Sequence, residues 1–321
     1  DLDVKSPSAR RLLKEILENF ASHSIKIVRL DAVGYVIKKR GTNCFCVEPD
    51  FHEFIAWIRS IADELGIELL LEIHARPDIL KRLAAEGHSV YDFALPALLL
   101  YSFYSQSSSK LREHLLSCTG NRYTMLDCHD GIPIWPDLEG VLSSAEITQI
   151  VDTCLARGAN LSRVRSGQMG SEAIDTHQIN CTYFDALGRD PDAYIAARAI
   201  QFFVPGTPQV YYVGLLAGEN DYGALEETGI GRSVNRHNYS QKEIDSACEK
   251  PVVKRLFDLI RFRNEHPAFA GSFSLEGFDE SSIVITWRKE NTFCSLDASL
   301  ATKKARITFT AENGSIENFC I

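Results

Sequence analysis

Short apolar runs alternate along this chain with stretches of helical spacing. The run Ile25-Lys26-Ile27-Val28-Arg29-Leu30-Asp31 predicts a buried strand that ends in a carboxylate. Gly66-Ile67-Glu68-Leu69-Leu70-Leu71-Glu72-Ile73-His74 repeats the pattern and ends at Glu72. Between the two, from about 50 to 65, Phe51, Phe54, Ile55, Ile58, Ile61 and Leu65 recur at helical spacing. Strand, helix, strand predicts a parallel pair joined by a right-handed crossover. A third strand-like run, Tyr123-Thr124-Met125-Leu126-Asp127-Cys128-His129-Asp130-Gly131, ends in His-Asp-Gly. In all, strands are expected near 25–31, 68–73, 89–93, 123–128 and 208–213.

The remaining elements follow the same logic. Leu12, Leu13, Ile16, Leu17 and Phe20 give a helix from about Ser6 to Phe20 one apolar face. A second helix is expected near 144–157, followed by an irregular polar stretch from Gly158 to Asp175. A third begins at Pro251 and carries Phe257, Leu259, Ile260 and Phe262. After Pro267 the spacing turns to period two, and Ser282-Ile283-Val284-Ile285-Thr286-Trp287 predicts a strand of a β-domain. Residues 214–239 hold Gly214, Gly218, Gly223, Gly229 and Gly231 and read as a mobile loop over the mouth of a site.

The strand ends carry the candidate chemistry. Residues i and i+2 of a strand share a face, so Arg29 and Asp31 project together. A guanidinium beside it keeps the Asp31 carboxyl ionised. Such a pair either closes a strand as a structural ion pair or supplies the carboxylate that attacks a sugar in covalent catalysis. Glu72 follows Leu69-Leu70-Leu71, and burial among them is expected to favour its protonated form. Two carboxyl groups whose environments push their pKa values apart are what a retaining glycosidase needs, roughly 5–5.5 Å from one another. Acids at three ends of one parallel sheet would meet at its carboxyl edge, the active-site face of a closed (β/α)8 barrel.

With these motifs the chain resembles the sucrose phosphorylase group of the α-amylase superfamily, glycoside hydrolase family 13. Carriers of the resemblance are Val28-Arg29-Leu30-Asp31-Ala32-Val33-Gly34-Tyr35, Glu72-Ile73-His74 and Leu126-Asp127-Cys128-His129-Asp130-Gly131-Ile132. With them go residues 194–206, which contain Ala196-Ala197-Arg198-Ala199, residues 208–214, and Gly231-Arg232-Ser233-Val234-Asn235-Arg236-His237. The resemblance runs from residue 1 to about 300. It implies that Asp31 is the nucleophile, Glu72 the general acid/base and Asp130 the group that binds sugar hydroxyls and stabilises the transition state. It implies that Arg29, Tyr35, His74, His129 and Arg236 line the sugar pocket, with Arg236 also restraining Asp130. Arg232, His237 and Arg76 are candidates, by position, for contacts to phosphate or another acceptor anion.

The fold implied is α/β: the C-terminal part, about strands 4–8, of a (β/α)8 TIM barrel, followed by a small antiparallel β-domain. The barrel stretch would occupy 1–269 with an inserted subdomain at about 135–190, and the β-domain 270–321. The activity implied is a retaining glucoside phosphorylase. It would pass a glucosyl unit from sucrose or a related α-glucoside to inorganic phosphate and release α-D-glucose 1-phosphate, with no cofactor beyond that co-substrate. A hydrolase or transglucosidase with the same machinery, and an inactive carbohydrate-binding remnant, are the alternatives. His74-Ala75-Arg76-Pro77-Asp78 differs from the Ser-Tyr-Tyr-type continuation of better-known members, which leaves fructose, fructose 6-phosphate, glycerate or glycerol open as the leaving group.

Composition narrows the partners. The net charge of −9 means that any phosphate site is local, not a property of the whole surface. Nine cysteines without framework spacing point to free thiols in a reducing, cytoplasmic setting. Cys44-Phe45-Cys46 is too tight for a zinc pair, so no metal is expected. Neither a long apolar run nor a basic tract is present, which gives membrane and nucleic-acid partners no support. The family's first three barrel strands and small inserted domain have no counterpart in these 321 residues. A part-barrel leaves a strand edge unpaired, so the 321 residues are expected to associate or to melt broadly. A sharp, monomeric, cooperative thermal transition contradicts that expectation.

Overall fold

A computed structural model describes residues 2–118, 120–163, 176–277 and 279–320. They divide into two units: unit 1 holds residues up to Tyr91 together with the segment ending at Tyr123, and unit 2 holds Asp92–Cys118 and the chain from Thr124 onward. Much of the irregular stretch expected at 158–175 lies outside the described residues.

Unit 1 alternates helices and parallel strands. Helix α1 spans Pro7–Ser22, with Pro7 in its first turn and the Ser6 hydroxyl accepting from Ala9 N at 3.2 Å. Strand β1 is Ile27–Leu30, α2 Asp50–Glu64, β2 Glu68–Leu71, α3 Pro77–Ala85, β3 Ser89–Asp92 and β4 Arg122–Thr124. Hydrogen bonding orders the strands β1-β2-β3-β4, with β1, β2 and β3 parallel. The predicted face of α2 is the buried one: Phe51, Phe54, Ile55, Ile58 and Ala62 join Leu17 of α1, Leu71 of β2 and Val90 of β3 in one core. Leu30 pairs with Leu71, so Asp31 and Glu72 leave adjacent parallel strands at the same height.

Unit 2 begins with helices α4, Leu95–Ser105, and α5, Ser109–Ser117. A small antiparallel sheet follows, ordered β5-β7-β6 and built from β5 (Ile132–Pro133), β6 (Asn160–Arg163) and β7 (Thr176–Asn180). Helix α6, Ser144–Ala156, connects two of its strands and starts with a Ser143–Glu146 capping box. Next come α7 (Tyr183–Ala186), α8 (Pro191–Phe203), β8 (Thr207–Pro208), α9 (Tyr212–Leu215), α10 (Tyr222–Thr228), α11 (Gln241–Cys248) and α12 (Pro251–Glu265). The chain closes in an antiparallel meander of β9 (Ser272–Glu276), β10 (Ser282–Lys289), β11 (Thr292–Ser299), β12 (Ala305–Thr310) and β13 (Ile316–Cys320). Helix α8 is the centre of this unit: every residue from Ala193 to Phe203 is buried. Ile285 and Leu296 of the meander share its core, and Trp287 Nε1 donates to Phe203 O at 2.6 Å. Among the described residues no helix is long and apolar enough to cross a membrane.

Three predicted elements differ from what is observed. The strand expected at 123–128 ends at Thr124, so Asp130 lies in the loop beyond it and not at a strand end. The strand expected at 208–213 stops at Pro208, which has no N–H for a ladder, and residues 212–215 turn into a helix. Its polar partners come from α8 and β4: Gln201 Nε2 donates to Gln209 O at 2.9 Å and to Thr124 O at 3.0 Å, and Gln209 N donates to Thr124 O at 2.8 Å. The stretch expected as a loop, 214–239, holds helix α10 and a 3-10 turn, Gly231–Asn235. Asp221 caps α10 by accepting from Ala224 N at 2.8 Å, and Gly229 ends it with a φ of 65°. Of these glycines Gly229 ends a helix, whereas Gly214 and Gly223 lie within helices.

Replacing Trp287 by Phe keeps most of the ring and removes the hydrogen bond to Phe203 O, leaving a buried carbonyl short of a donor. Chemical denaturation should show a loss of about 1–3 kcal/mol. An unchanged stability would mean that this bond does not help hold the meander to α8.

Candidate active site

The bend after β1 places the first carboxylate. Asp31 follows the last paired residue of the strand, and Ala32 takes a φ of 46°, a left-handed conformation rare outside glycine. That turn aims the Ala32 N–H at Glu72 Oε2, to which it donates. Arg29 reaches both acids: Nη1 donates to Asp31 Oδ1 at 2.6 Å and Nη2 lies 3.5 Å from Glu72 Oε1. His74 Nε2 is 3.5 Å from the same Glu72 oxygen. The structure thus brings Arg29, Asp31, Glu72 and His74 together.

The two acids differ sharply in exposure. The Asp31 side chain is 76% exposed and that of Glu72 is 9% exposed. Burial pushes the Glu72 carboxyl up, as expected from its apolar run. The hydrogen bond from His74 and that from Ala32 N, with the charges of His74 and Arg29, outweigh burial and leave it below its ordinary value. The expectation of a protonated Glu72 is therefore corrected: in the unliganded chain its surroundings favour the carboxylate.

Tyr35 ends the 3-10 turn Val33–Tyr35, half exposed, with its ring 5.0 Å from that of Phe45. Gly34 precedes it because a Cβ there would come within 2.9 Å of the Phe45 ring. Arg76 stands at the start of α3 with Nε 3.1 Å from Asp78 Oδ1, an exposed ion pair.

In unit 2, Asp130 is gripped by two guanidinium groups. Arg232 Nη1 donates to its Oδ1, and Arg236 Nη2 donates to the same oxygen at 3.1 Å. His129 Nε2 lies 3.9 Å from that oxygen. Asn235 Nδ2 donates to Cys128 O at 3.2 Å and to Asp130 O at 2.9 Å, while Arg236 Nε donates to His129 O. The expected restraint of Asp130 by Arg236 is present, and Arg232 shares it. His237 keeps other company: Nδ1 pairs with Asp221 Oδ2, and Nε2 is 3.2 Å from Glu243 Oε1. The bond to Asp221, against some burial, holds its pKa above the ordinary histidine value. Two flanking carboxylates make His237 a poor place for phosphate.

Two residues without an assigned role in the sequence turn out to matter. Asp127 accepts from the fully buried Arg198 at 2.6 Å, and Arg198 also donates to Tyr194 Oη and Gln201 Oε1. Gly214 closes over this pair, since a Cβ there would stand 1.9 Å from Asp127 Oδ2. The available signal was a lone arginine inside an otherwise apolar helix, which demands a buried anion.

No family model matches the chain. It is 51% identical over 315 residues to a curated sucrose 6(F)-phosphate phosphorylase of Thermoanaerobacterium thermosaccharolyticum, covering 98% of this chain and 64% of that protein. It is 44% identical over 314 residues to a sucrose phosphorylase of Agrobacterium vitis, covering 96% of this chain and 64% of the relative. The chain therefore spans about two thirds of the length of these relatives. A crystal structure of sucrose 6F-phosphate phosphorylase from Thermoanaerobacter thermosaccharolyticum superposes with a TM-score of 0.98 at 49% identity, over all of this chain and 65% of that one. The fold is the C-terminal part of a (β/α)8 barrel followed by an antiparallel β-sheet, as expected.

Because His74 heads the groups that lower the Glu72 pKa, His74→Ala should move the Glu72 titration to higher pH. A depressed carboxyl pKa lends stability that is present above the unfolded value and lost as pH falls through the folded one. The variant should lose part of that contribution at neutral pH. Carboxyl-selective NMR titration reads the shift, and an unmoved Glu72 would assign the depression to Ala32 N–H and Arg29 alone.

Proposed function

We propose, from the premise that these 321 residues belong with the sucrose phosphorylase group of the α-amylase superfamily, that they carry the acid–base and nucleophilic machinery of a retaining glucoside phosphorylase. Its donor is sucrose or sucrose phosphorylated on fructose, its acceptor inorganic phosphate and its product α-D-glucose 1-phosphate. The observation that carries this reading is the single guanidinium of Arg29 joined to both Asp31 and Glu72 at the ends of adjacent parallel strands.

In the first half-reaction Glu72 takes up a proton from solvent as the donor sugar binds; an Asp31 oxygen then attacks the anomeric carbon as the glycosidic C–O bond breaks, and Glu72 passes that proton to the departing oxygen. In the second, Glu72 takes a proton from phosphate, whose oxygen displaces Asp31. Two inversions give net retention. Arg29 links the two steps electrostatically. While Asp31 is an anion it partly neutralises the guanidinium that also faces Glu72. Once Asp31 is esterified, the full positive charge acts on Glu72 and favours its carboxylate, the form needed as base. His74 hydrogen-bonds Glu72 in the unliganded chain.

Asp130 takes the role of sugar-hydroxyl acceptor and transition-state stabiliser, with Tyr35 offering an aromatic face and His129 a polar contact. Arg232 and Arg236 put two positive charges on one carboxylate, a local surplus of one within a chain of net charge −9, which suits an anionic acceptor. Arg76 remains an acceptor-side candidate, and His237 is a support of the 221–243 stretch.

The test is phosphate-dependent glucose 1-phosphate formation from sucrose and, in parallel, from sucrose 6F-phosphate. Asp31→Asn should reduce it to background, and Glu72→Gln should lower it by about 10²–10⁴-fold. Glucose release that ignores phosphate would make the chain a hydrolase, and turnover that survives Asp31→Asn would remove the nucleophile from the scheme.

A further inference from the structure

Outside the strand-end acids, unit 2 gathers a carboxylate, an imidazole and a thiol on one point. Asp92 ends β3, His114 lies on the inner face of α5 beside Leu111 and Leu115, and Cys118 caps that helix. His114 and Cys118 are four residues apart, one helical turn, so both face Asp92. His114 Nε2 lies 3.0 Å from Asp92 Oδ1, 2.9 Å from Asp92 Oδ2 and 3.5 Å from Cys118 Sγ. Cys118 Sγ is 3.9 Å from Asp92 Oδ2. Asp92 and His114 are 3% and 5% exposed, while Cys118 is partly open to solvent.

This is not the geometry of a catalytic relay. In a thiol–imidazole–carboxylate triad the acid holds one ring nitrogen and the thiol the other. Here both meet the same nitrogen, which carries at most one hydrogen. Three donors converging on one point instead describe the inner faces of a coordination polyhedron. Bonds of about 2.0–2.2 Å to nitrogen and oxygen and about 2.3 Å to sulfur imply ligand–ligand edges of roughly 3.3–3.5 Å in a tetrahedron. The three atoms stand within a few tenths of an ångström of that triangle.

We infer that Asp92, His114 and Cys118 form a binding site for a thiophilic divalent cation of the zinc type, three protein ligands with the fourth position open on the Cys118 side. Mixed O, N and S donors suit zinc and disfavour magnesium or calcium, which take oxygen shells. The cation replaces the hydrogen between His114 and Asp92 and the thiol hydrogen of Cys118. With the imidazole charged, both leave as protons and the net charge of the cluster is unchanged. The site shares no residue with the Asp31, Glu72 and Asp130 set, and its effect is to clamp the start of unit 2 at Asp92 onto the C-terminal end of α5. The sequence conceals it, because the third ligand lies 22 residues upstream of the His-x-x-x-Cys pair.

The test titrates the whole chain, stripped of metal, with Zn2+ against a chromophoric chelator and with Co2+ as a spectroscopic probe. One equivalent should bind, Co2+ should give a near-ultraviolet thiolate-to-metal absorption, and Zn2+ should raise the thermal midpoint. Cys118→Ser should abolish the absorption and weaken Zn2+ binding by about 100-fold or more, and His114→Gln should do the same. Each variant is compared with the parent by circular dichroism, and Cys44→Ser/Cys46→Ser serves as the control that retains the signal. The inference is overturned by no binding at one equivalent, by a signal that survives Cys118→Ser, or by one that disappears only with Cys44 and Cys46.

Discussion

Arg29 holds two carboxylates at once, and the chemistry available to unit 1 depends on that sharing. Parallel register sets Asp31 and Glu72 at the same height on neighbouring strands, where two anions repel. A planar guanidinium with donors on two sides relieves the repulsion without protonating either acid. Lysine at this position would offer a single point charge and could not serve both oxygens in the same geometry. The left-handed Ala32 completes the arrangement, because the turn that lifts Asp31 off the strand also delivers a backbone N–H to Glu72. Local strain, register and charge pairing therefore converge on two side chains.

The same rule operates in unit 2 with different consequences. Asp130 has two arginines on one oxygen and Asp127 has one fully buried arginine. The Asp127–Arg198 pair is structural in character: the guanidinium makes further bonds to Tyr194 and Gln201, and Gly214 seals it from water. Such a pair is held by geometry more than by net energy, and removing one partner strands the other's charge in the interior. At Asp130 the guanidinium groups remain partly exposed to solvent. Burial, more than the identity of the pair, separates scaffold from site.

Much of this was legible in the sequence, and the failures have physical causes. The sequence located α1, α2 and α6 to within two residues and α12 at its start, because each has one buried face and a marked start in proline, serine or an acid. Strand ends bearing Asp31 and Glu72 were readable since a charge that terminates an apolar run is conspicuous. The helices at 212–215 and 222–228 were not, because glycine-rich composition does not distinguish a loop from short helices of one or two turns. Glu72 was misjudged for a related reason. Its apolar neighbours are sequential, whereas Ala32 and Arg29 act across space, and the bond from His74, two residues on, depends on side-chain geometry. Desolvation is visible in a sequence, and the hydrogen bonds that outweigh it are not.

The Asn235-Arg236 step shows how a short motif acquires a physical meaning. Cys128, His129 and Asp130 lie in the loop after β4, which ends at Thr124, and present three successive carbonyl oxygens. Asn235 takes the first and third and Arg236 the second, while Arg236 also reaches the Asp130 side chain. Backbone and carboxylate are thus fixed by one dipeptide, so that Asp130 cannot rotate without breaking bonds to its own peptide group. Asn235 is buried, and among the described residues no donor reaches its Oδ1. Its two N–H bonds hold the peptide groups of Cys128 and Asp130, and so the loop that carries the Asp130 carboxylate is positioned by a side chain from another segment.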